Sequence, residues 1–344
     1  MIDYNELINS IIFSLFKGFN SLNLFLFIVI SLLFSLAIDV FFGELPTRIH
    51  PVVIIGSVIS FLKKIFIKIK GKLSGLLVVL FSIVVVGVIT LVILYLCSVN
   101  VLLLFIVYSL LLSSTFSVNM LLGTAIGVYD DLNESLDKAR ESVSYLVSRS
   151  TDELTESFIV SATIESLTEN ITDSYVAPIF YFTIFSLAII VLNKNYLFVL
   201  LLVPMLYRVS NTMDAMLGYK TDELANIGYV PAKLDDLLNY IPSRISGLIM
   251  VVAACLLKYD WRNAYRIMRR DARNSPSPNS GYTMATAAGA LDIQLIKKGT
   301  YILGDDIKPI NKDDIKKAVD LSRLTIILFT MMILIILTLV YVLC

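Results

Sequence analysis

Long apolar runs alternate with short polar islands along this chain, and the lengths of the runs predict helices rather than strands. Leu22 to Phe42 is long enough to cross a hydrocarbon layer of about 30 Å, which needs about 20 residues. It ends in Asp39 and the sequence GELPTRIHP over 43–51, where Gly and Pro break the helix and expose Glu44, Arg48 and His50. Residues 52–72 resume an apolar pattern interrupted by Lys63, Lys64, Lys68, Lys70 and Lys72, which predicts a helix lying on the membrane surface. Before the first span, Leu7, Ile8, Ile11, Ile12, Leu15 and Phe16 fit a short amphipathic interfacial helix. The start lacks the features of a cleaved secretory signal, so the first span is expected to be retained. Leu73 to Cys97 and Val99 to Val118 form an almost uncharged hairpin.

Between Asp130 and Asp173 the apolar fraction drops. The spacing of Leu132, Leu136, Val143 and Val147 predicts soluble helices, with Thr151 or Asp152 as a cap before Glu153 to Glu156. Val176 to Leu192 and Tyr196 to Leu206, joined by Asn193, Lys194 and Asn195, are short for a bilayer; they extend into the neighbouring polar motifs or are partly re-entrant. Ile245 to Leu257 is shorter still, and Lys258, Arg262, Arg266, Arg269, Arg270 and Arg273 follow it. A crossing there would put those cations outside, against the positive-inside trend, so a helix buried in the protein or dipping into the membrane is expected. A basic-acidic helix over 311–323 leads into a last span from Leu324 to Leu343.

The expected fold is thus all-α: a polytopic integral membrane protein, one domain over 1–344. The Lys/Arg bias places segments 43–72, 120–175, 207–244 and 258–323 on the cytoplasmic side, where they can build one polar site.

Composition agrees with a membrane protein: 57% hydrophobic and 16% charged, against about 25% charged in a soluble domain. The 28 basic and 28 acidic residues cancel, so no nucleic-acid partner is implied. Cys97, Cys255 and Cys344 are scattered among apolar segments and His50 is the one histidine, which disfavours a disulfide framework or a zinc centre.

Candidate chemistry concentrates in 207–244 and recurs at 165–173 and 277–281. Glu165 and Glu169 are four apart and Asp173 continues their face. Such a face calls for magnesium, an amine or an arginine, or is simply solvated. Asn170 can orient a carboxylate or phosphate. Arg208, Asn211 and Asp214, three apart, line one helix face; arginine suits phosphate or carboxylate, or snorkels at the interface. Lys233, Asp235, Asp236 and Asn239 form the densest set, closed by Pro242 and Arg244. Two adjacent acids facing different ways suggest one metal-facing and one structural role. Magnesium takes oxygen ligands and substrate phosphates. In SPSPNSGY, 275–282, Ser277, Asn279 and the backbone at Gly281 form either a nest for an anion or an ordinary turn. No GxxxxGK[ST] loop is present. His50 is a local hydrogen-bonding residue or an acid–base group.

These motifs carry a resemblance. GELPTRIHPVVIIG (43–56), ATIESLTENITDSYVAPIF (162–180), YRVSNTMDAMLGY (207–219), AKLDDLLNYIPSRI (232–245) and SPSPNSGY (275–282), in this order, resemble the CbiB/CobD family of cobalamin-biosynthesis membrane proteins, the adenosylcobinamide-phosphate synthases. The resemblance runs from Leu36 to about Ala318.

It implies ATP- and Mg2+-dependent ligation of adenosylcobyric acid to aminopropanol phosphate or a related amino-alcohol phosphate. It also implies a multi-pass protein of the cell membrane in contact with lipid, with its active site facing the cytoplasm and room for a homo-oligomer. Expected catalytic groups are Glu165, Glu169, Asp214, Lys233, Asp236 and His50. Asn170, Arg208, Asn211, Asn239, Arg244, Ser277, Asn279 and Gly281 are expected to bind the nucleotide; Asp173, Asp214, Asp235 and Asp236 are expected at the metal. Ser150 after Arg149, Ser174 after Asp173, and Ser275 depart from the family's acid, glycine and histidine at those places.

Three other functions compete: a related membrane ligase acting on another carboxylate, a transporter, and a structural subunit. Transport predicts polar residues spread through the spans, whereas 73–118 and 324–343 are nearly uncharged. A structural subunit gives no reason to group Lys233 with Asp235, Asp236 and Asn239.

Overall fold

A computed structural model describes residues 21–147, 150–193, 196–219 and 221–344. The interfacial helix expected within 1–20, Arg149, and Lys194 and Asn195 of the expected turn lie outside the described residues. In chain order the helices are α1 (Ser21–Phe42), α2 (Pro51–Phe66), α3 (Leu73–Cys97), α4 (Val101–Ser113), α5 (Val118–Glu134), α6 (Leu136–Ser144) and α7 (Glu156–Ile171). A π-turn at Thr172–Val176 leads into α8 (Ala177–Leu192), followed by α9 (Leu197–Leu217), α10 (Tyr229–Leu238), α11 (Tyr240–Leu256), α12 (Trp261–Asp271) and α13 (Gly281–Ala290). A hairpin of β1 (Leu295–Lys297) and β2 (Tyr301–Leu303) precedes α14 (Asp313–Leu343).

Among the described residues, six helices are long and apolar enough to cross a membrane, or seven if the bent pair α10–α11 counts as one. The protein is therefore all-α in its main architecture and polytopic. Three of the spans far outrun a bilayer; the one over Val101–Glu134 has 34 residues. The continuous helix over Glu156–Leu192 has 37 residues and α14 has 31; at 1.5 Å per residue these are roughly 55 and 46 Å long. The two short spans predicted at 176–206 thus lengthen into the motifs beside them, and the expected 311–323 helix fuses with the last span.

The chain forms two compact units: Met1–Thr115, Pro178–Pro231 and Ile333–Cys344 in the first, Phe116–Ala177 and Ala232–Met332 in the second. In the first, α1 packs on α4 through small polar residues. Ser35 Oγ donates to Ser31 O at 2.6 Å and to Ser109 O at 2.9 Å, while Phe27 meets Phe105 and Tyr108 edge-on. Serines at such a seam let helices approach closely and satisfy themselves on backbone carbonyls.

The second unit is built around α13, GYTMATAAGA, nine of whose ten residues are buried. It is thin by composition, and its neighbours use that. A Cβ at Gly281 would lie 2.1 Å from the Ala272 carbonyl oxygen, and one at Gly289 2.7 Å from that of Asn263. Tyr175, fully buried, packs edge-on against Phe116 and Phe329, and its hydroxyl bonds Thr330 Oγ1 at 2.6 Å. Asp314, buried in the first turn of α14, accepts from Lys308 at 2.7 Å and Lys317 at 3.1 Å. The start of a helix favours that negative charge.

The β-hairpin did not stand out in the sequence. Its strands are only three residues long, with Leu295 opposite Leu303 and Lys297 opposite Tyr301. Gly299, at φ 72°, supplies the left-handed residue that a three-residue hairpin loop needs. Arg266 and Arg270 of α12 both bind Asp305 just past β2, the second at 2.7 Å. Arg270 also grips Asp271 with two bonds of 2.6 and 2.7 Å, and Asp271 accepts from Gly304 N at 2.8 Å. The hydrogen bonds from Arg270, then from Arg266, hold the Asp305 carboxyl below its ordinary range.

The soluble helices expected over 130–173 form with a different pattern. Ala139 and Val143, not Leu136, are the buried positions of α6. Helix α7 starts at Glu156 after Thr155, three or four residues beyond the expected cap at Asp152 or Thr151.

Candidate active site

The densest polar set sits at the junction of α10 and α11, whose axes differ by 45°. Asn239 occupies the break. Pro242 falls in the first turn of α11, where its missing N–H costs nothing. Adjacent positions on a helix point about 100° apart, which separates the two acids of α10. Asp235 is buried and accepts from Asn239 Nδ2 at 2.9 Å. Asp236, with its side chain 26% exposed, accepts from Lys233 Nζ at 2.9 Å.

Arg244, one turn into α11, is held from several directions. Its guanidinium carbon lies over the rings of Tyr240 and Tyr282, 3.5 and 4.3 Å from their centroids. Nη1 donates to Tyr240 O at 2.5 Å and to Ser243 Oγ and Asn279 Oδ1, both at 3.1 Å; Nη2 donates to Pro278 O at 3.3 Å. Asn279 also reaches back to α10, Nδ2 to Asp236 O at 2.7 Å. The turn before α13 is fastened locally: Asn279 N donates to Ser277 Oγ at 3.2 Å, and Ser275 and Ser280 share a 2.6 Å hydroxyl bond. Gly281 is buried against Ala272, so its smallness serves packing.

On α7, Glu165 is 5% exposed. Its Oε1 accepts from Ser161 Oγ and its Oε2 from Tyr301 OH, both at 2.7 Å. Ser161 Oγ in turn accepts from Ile296 N at 3.0 Å, so one carboxylate ties α7 to both strands of the hairpin. Glu169 and Asn170 are half-buried one turn on, and Asn170 Nδ2 bonds Ser166 O at 2.8 Å. Asp173, also half-buried, stands in the π-turn. Such turns widen a helix by one residue and recur at functional sites.

The first unit holds the remaining candidates. His50 is buried, not exposed as the sequence suggested, because it caps α2: Nδ1 accepts from Val52 N at 3.2 Å. Nε2 therefore carries the proton and donates to Glu44 Oε2 at 2.6 Å. Arg208 Nη1 donates to Asn211 Oδ1 at 3.1 Å on α9. Asp214 is half-buried near the end of that helix, its carbonyl accepting from Gly218 N at 2.7 Å.

Within the second unit, hydrogen bonds thus join Lys233, Asp236, Arg244, Asn279 and Ser277 into one network. Glu165 belongs to a separate cluster with Tyr301. Tyr240, Ser243, Pro278 and Tyr282 were not foreseen as parts of the network. Tyr240, four residues before Arg244 on the same helix face, was the available signal. Among the described residues no three His, Cys, Asp or Glu side chains converge to hold a metal.

Fold and site together define a multi-pass membrane protein with a carboxylate–arginine site at a helix break. The chain matches the family described as CobD/Cbib protein over residues 32–322, and it belongs to the CobD/CbiB family. The probable cobalamin biosynthesis protein CobD of Methanothermobacter thermautotrophicus is 45% identical over 300 residues, 87% of this chain and 95% of that one. That of Methanocaldococcus jannaschii is 37% identical over 85% of this chain and 91% of its own. The cobalamin biosynthesis protein CobD of Dehalococcoides mccartyi is 37% identical over 82% and 89%. No solved structure matches.

Proposed function

We propose that this protein is an ATP-dependent ligase that joins the free propionate of adenosylcobyric acid to the amine of aminopropanol phosphate, or of a related amino-alcohol phosphate. The product is adenosylcobinamide phosphate. Family membership supports the pathway. The observation that carries the chemistry is the network of Lys233, Asp236, Asn279 and Arg244, in which Lys233 pairs with the partly exposed Asp236 carboxylate and Asn279 links Arg244 to the Asp236 backbone.

A free carboxylate is a poor acyl donor because its oxygen is a poor leaving group. Phosphoryl transfer from ATP to that oxygen gives an acyl phosphate and ADP. The neutral amine then attacks the carbonyl carbon; the C–N bond forms, the C–O bond to phosphate breaks, and inorganic phosphate departs. Arg244 and Lys233 stabilise charge on the transferring and leaving phosphoryl oxygens. The amine proton needs an acceptor, and Glu169 and Asp173 are half-buried carboxylates suited to it. Glu165, buried and bonded by Ser161 and Tyr301, acts as a strut in this reading. His50 serves as the cap of α2. Arg208, Asn211 and Asp214 remain candidates for phosphate and metal contacts.

Magnesium keeps several waters and binds one or two carboxylates plus substrate phosphates. Asp236 fits that demand, since its Oδ2 takes the Lys233 hydrogen bond and its side chain reaches solvent. When bound, the ion neutralises phosphate charge; Asp236 would hold it.

The lysines and arginines of 43–72 and 258–323 support a cytoplasm-facing site. Single cysteines at Asp152 and Ser280, in a background free of Cys97, Cys255 and Cys344, should both label from the cytoplasmic side. Opposite accessibility would overturn one common face. The activity itself is tested with purified protein, adenosylcobyric acid, aminopropanol phosphate and Mg-ATP, following product mass and ADP. Absence of both products, under conditions where a relative is active, would sink the ligase.

A further inference from the structure

The five N–H bonds of an arginine lie in one plane on two usable edges, and each edge donates two parallel bonds. In Arg244 the protein occupies one of them. Nη1 is spent on Tyr240 O, Ser243 Oγ and Asn279 Oδ1, and one Nη2 bond goes to Pro278 O. The other edge, Nε–H with the second N–H of Nη2, meets no acceptor among the described residues. The side chain is half-buried rather than sealed. Tyr240 and Tyr282 pack over the guanidinium and fix its plane, and Asn279 and Pro278 fix its rotation within that plane.

We propose that the Nε–Nη2 edge of Arg244 is a preformed anion site that takes two oxygens of a substrate phosphoryl group. Holding a long side chain still costs about 2 kcal/mol of rotamer entropy. Here that cost is met before any ligand arrives, by rings and carbonyls that take no bond from Nε. A guanidinium serving only to pin the 275–280 turn needs its Nη1 bond to Asn279 and its Nη2 bond to Pro278, and leaves Nε unused. The two rings add cation–π attraction, which strengthens as water is excluded. Phosphoryl is favoured over a lone carboxylate by the neighbourhood. Lys233 stands on α10 beside Asp236, whose backbone carbonyl Asn279 grips, and the Ser277 hydroxyl lies in the same turn.

Deepening the ligase reading, on which it rests for the identity of the ligand, this site has two sources for its phosphoryl group: the nucleotide and the amino-alcohol phosphate. The test is equilibrium binding in nanodiscs with three probes: ATP with Mg2+, aminopropanol phosphate, and aminopropanol without phosphate. Arg244→Lys keeps the charge but loses the paired donors. It should weaken one phosphorylated probe about tenfold or more, as expected for lost hydrogen bonds to a charged group, and leave the other phosphorylated probe within about twofold. Which of the two weakens names the source. Asn279→Ala should weaken the same probe by a smaller factor, read per folded molecule because it also removes the bond from buried Asn279 to Asp236 O.

Tyr240 is 51% exposed, so Tyr240→Leu tolerates folding and decides the matter if Arg244→Lys does not fold; several-fold weakening of that same probe is expected. Unchanged affinity for both phosphorylated probes in the folded variants, or no binding of either by the wild-type protein, overturns the site. Arg244-dependent binding without product would keep the site and discard the ligase. Product formation with wild-type KM values in Arg244→Lys would do the reverse.

Discussion

Two polar clusters of the second unit, one around Glu165 and one around Arg244, are made of the same kinds of residue and end in opposite states. At Glu165, which is buried, each carboxylate oxygen accepts one hydroxyl bond at 2.7 Å from a protein partner. At Arg244 the tyrosine, asparagine, serine and carbonyl groups take bonds from Nη1 and Nη2 and none from Nε among the described residues, and the side chain is half-buried. A buried charge must be fully satisfied or it costs several kcal/mol. A half-exposed one can be held in place without being used up. In the function proposed here, that difference makes Glu165 a strut and Arg244 a binding group, although both clusters hold the same residue types.

The contrast breaks most readily at Asp236. Asp236→Asn should lower kcat about 100-fold or more, in the range of groups that act on the reacting centre. It should leave the unfolding temperature nearly unchanged, because the Lys233 pair is solvent-exposed and worth at most about 1 kcal/mol. A loss of stability as large as the loss of turnover would erase the distinction between the clusters.

Tyr301→Phe tests the other side. It strips one donor from buried Glu165 and should cost about 1–3 kcal/mol in denaturant unfolding, while kcat per folded molecule stays within about twofold. A large fall in kcat at full stability would return Glu165 to the chemistry.

The smallest effect is expected at Asp305, whose carboxyl is held below its ordinary range by Arg270 and Arg266. A folded-state pKa lower than the unfolded one gives stability that is present above the unfolded value and lost as pH falls through the folded value. Protection of β1 and β2, read as exchange relative to the intrinsic rate at each pH, should therefore fall as pH drops below the usual carboxylate range. Asp305→Asn should exchange faster at neutral pH and lose that pH dependence. A wild-type hairpin equally protected across the range would refute the latch.

How far the sequence could foresee this follows from what each element depends on. The spans were legible because a bilayer demands a length and a hydropathy that one chain carries by itself. The split between Asp235 and Asp236 was legible because helical geometry alone turns neighbours apart. The tie of Glu165 to the hairpin was not, since its partner Tyr301 and the Ile296 N–H on its other partner, Ser161, lie more than a hundred residues away. Nor was the burial of His50, which follows from capping α2 and bonding Glu44. The hairpin was hidden because three-residue strands carry too little periodicity, and its stability comes from α12 and α7. The clamp on Arg244 needed Tyr282 and Asn279 brought in from the turn before α13.

The thinness of α13 has a practical consequence for anyone mapping this protein by mutation. Gly281 and Gly289 touch no substrate group in the arrangement proposed, yet neither has room for a methyl carbon beside the carbonyls of Ala272 and Asn263. A library scored only by cobamide output would rank these positions as unforgiving as Arg244, and would draw the catalytic centre too large. Scoring the same library for protein abundance in the membrane would divide the two sets: the glycine variants vanish from the membrane, and the Arg244 variants remain there, silent.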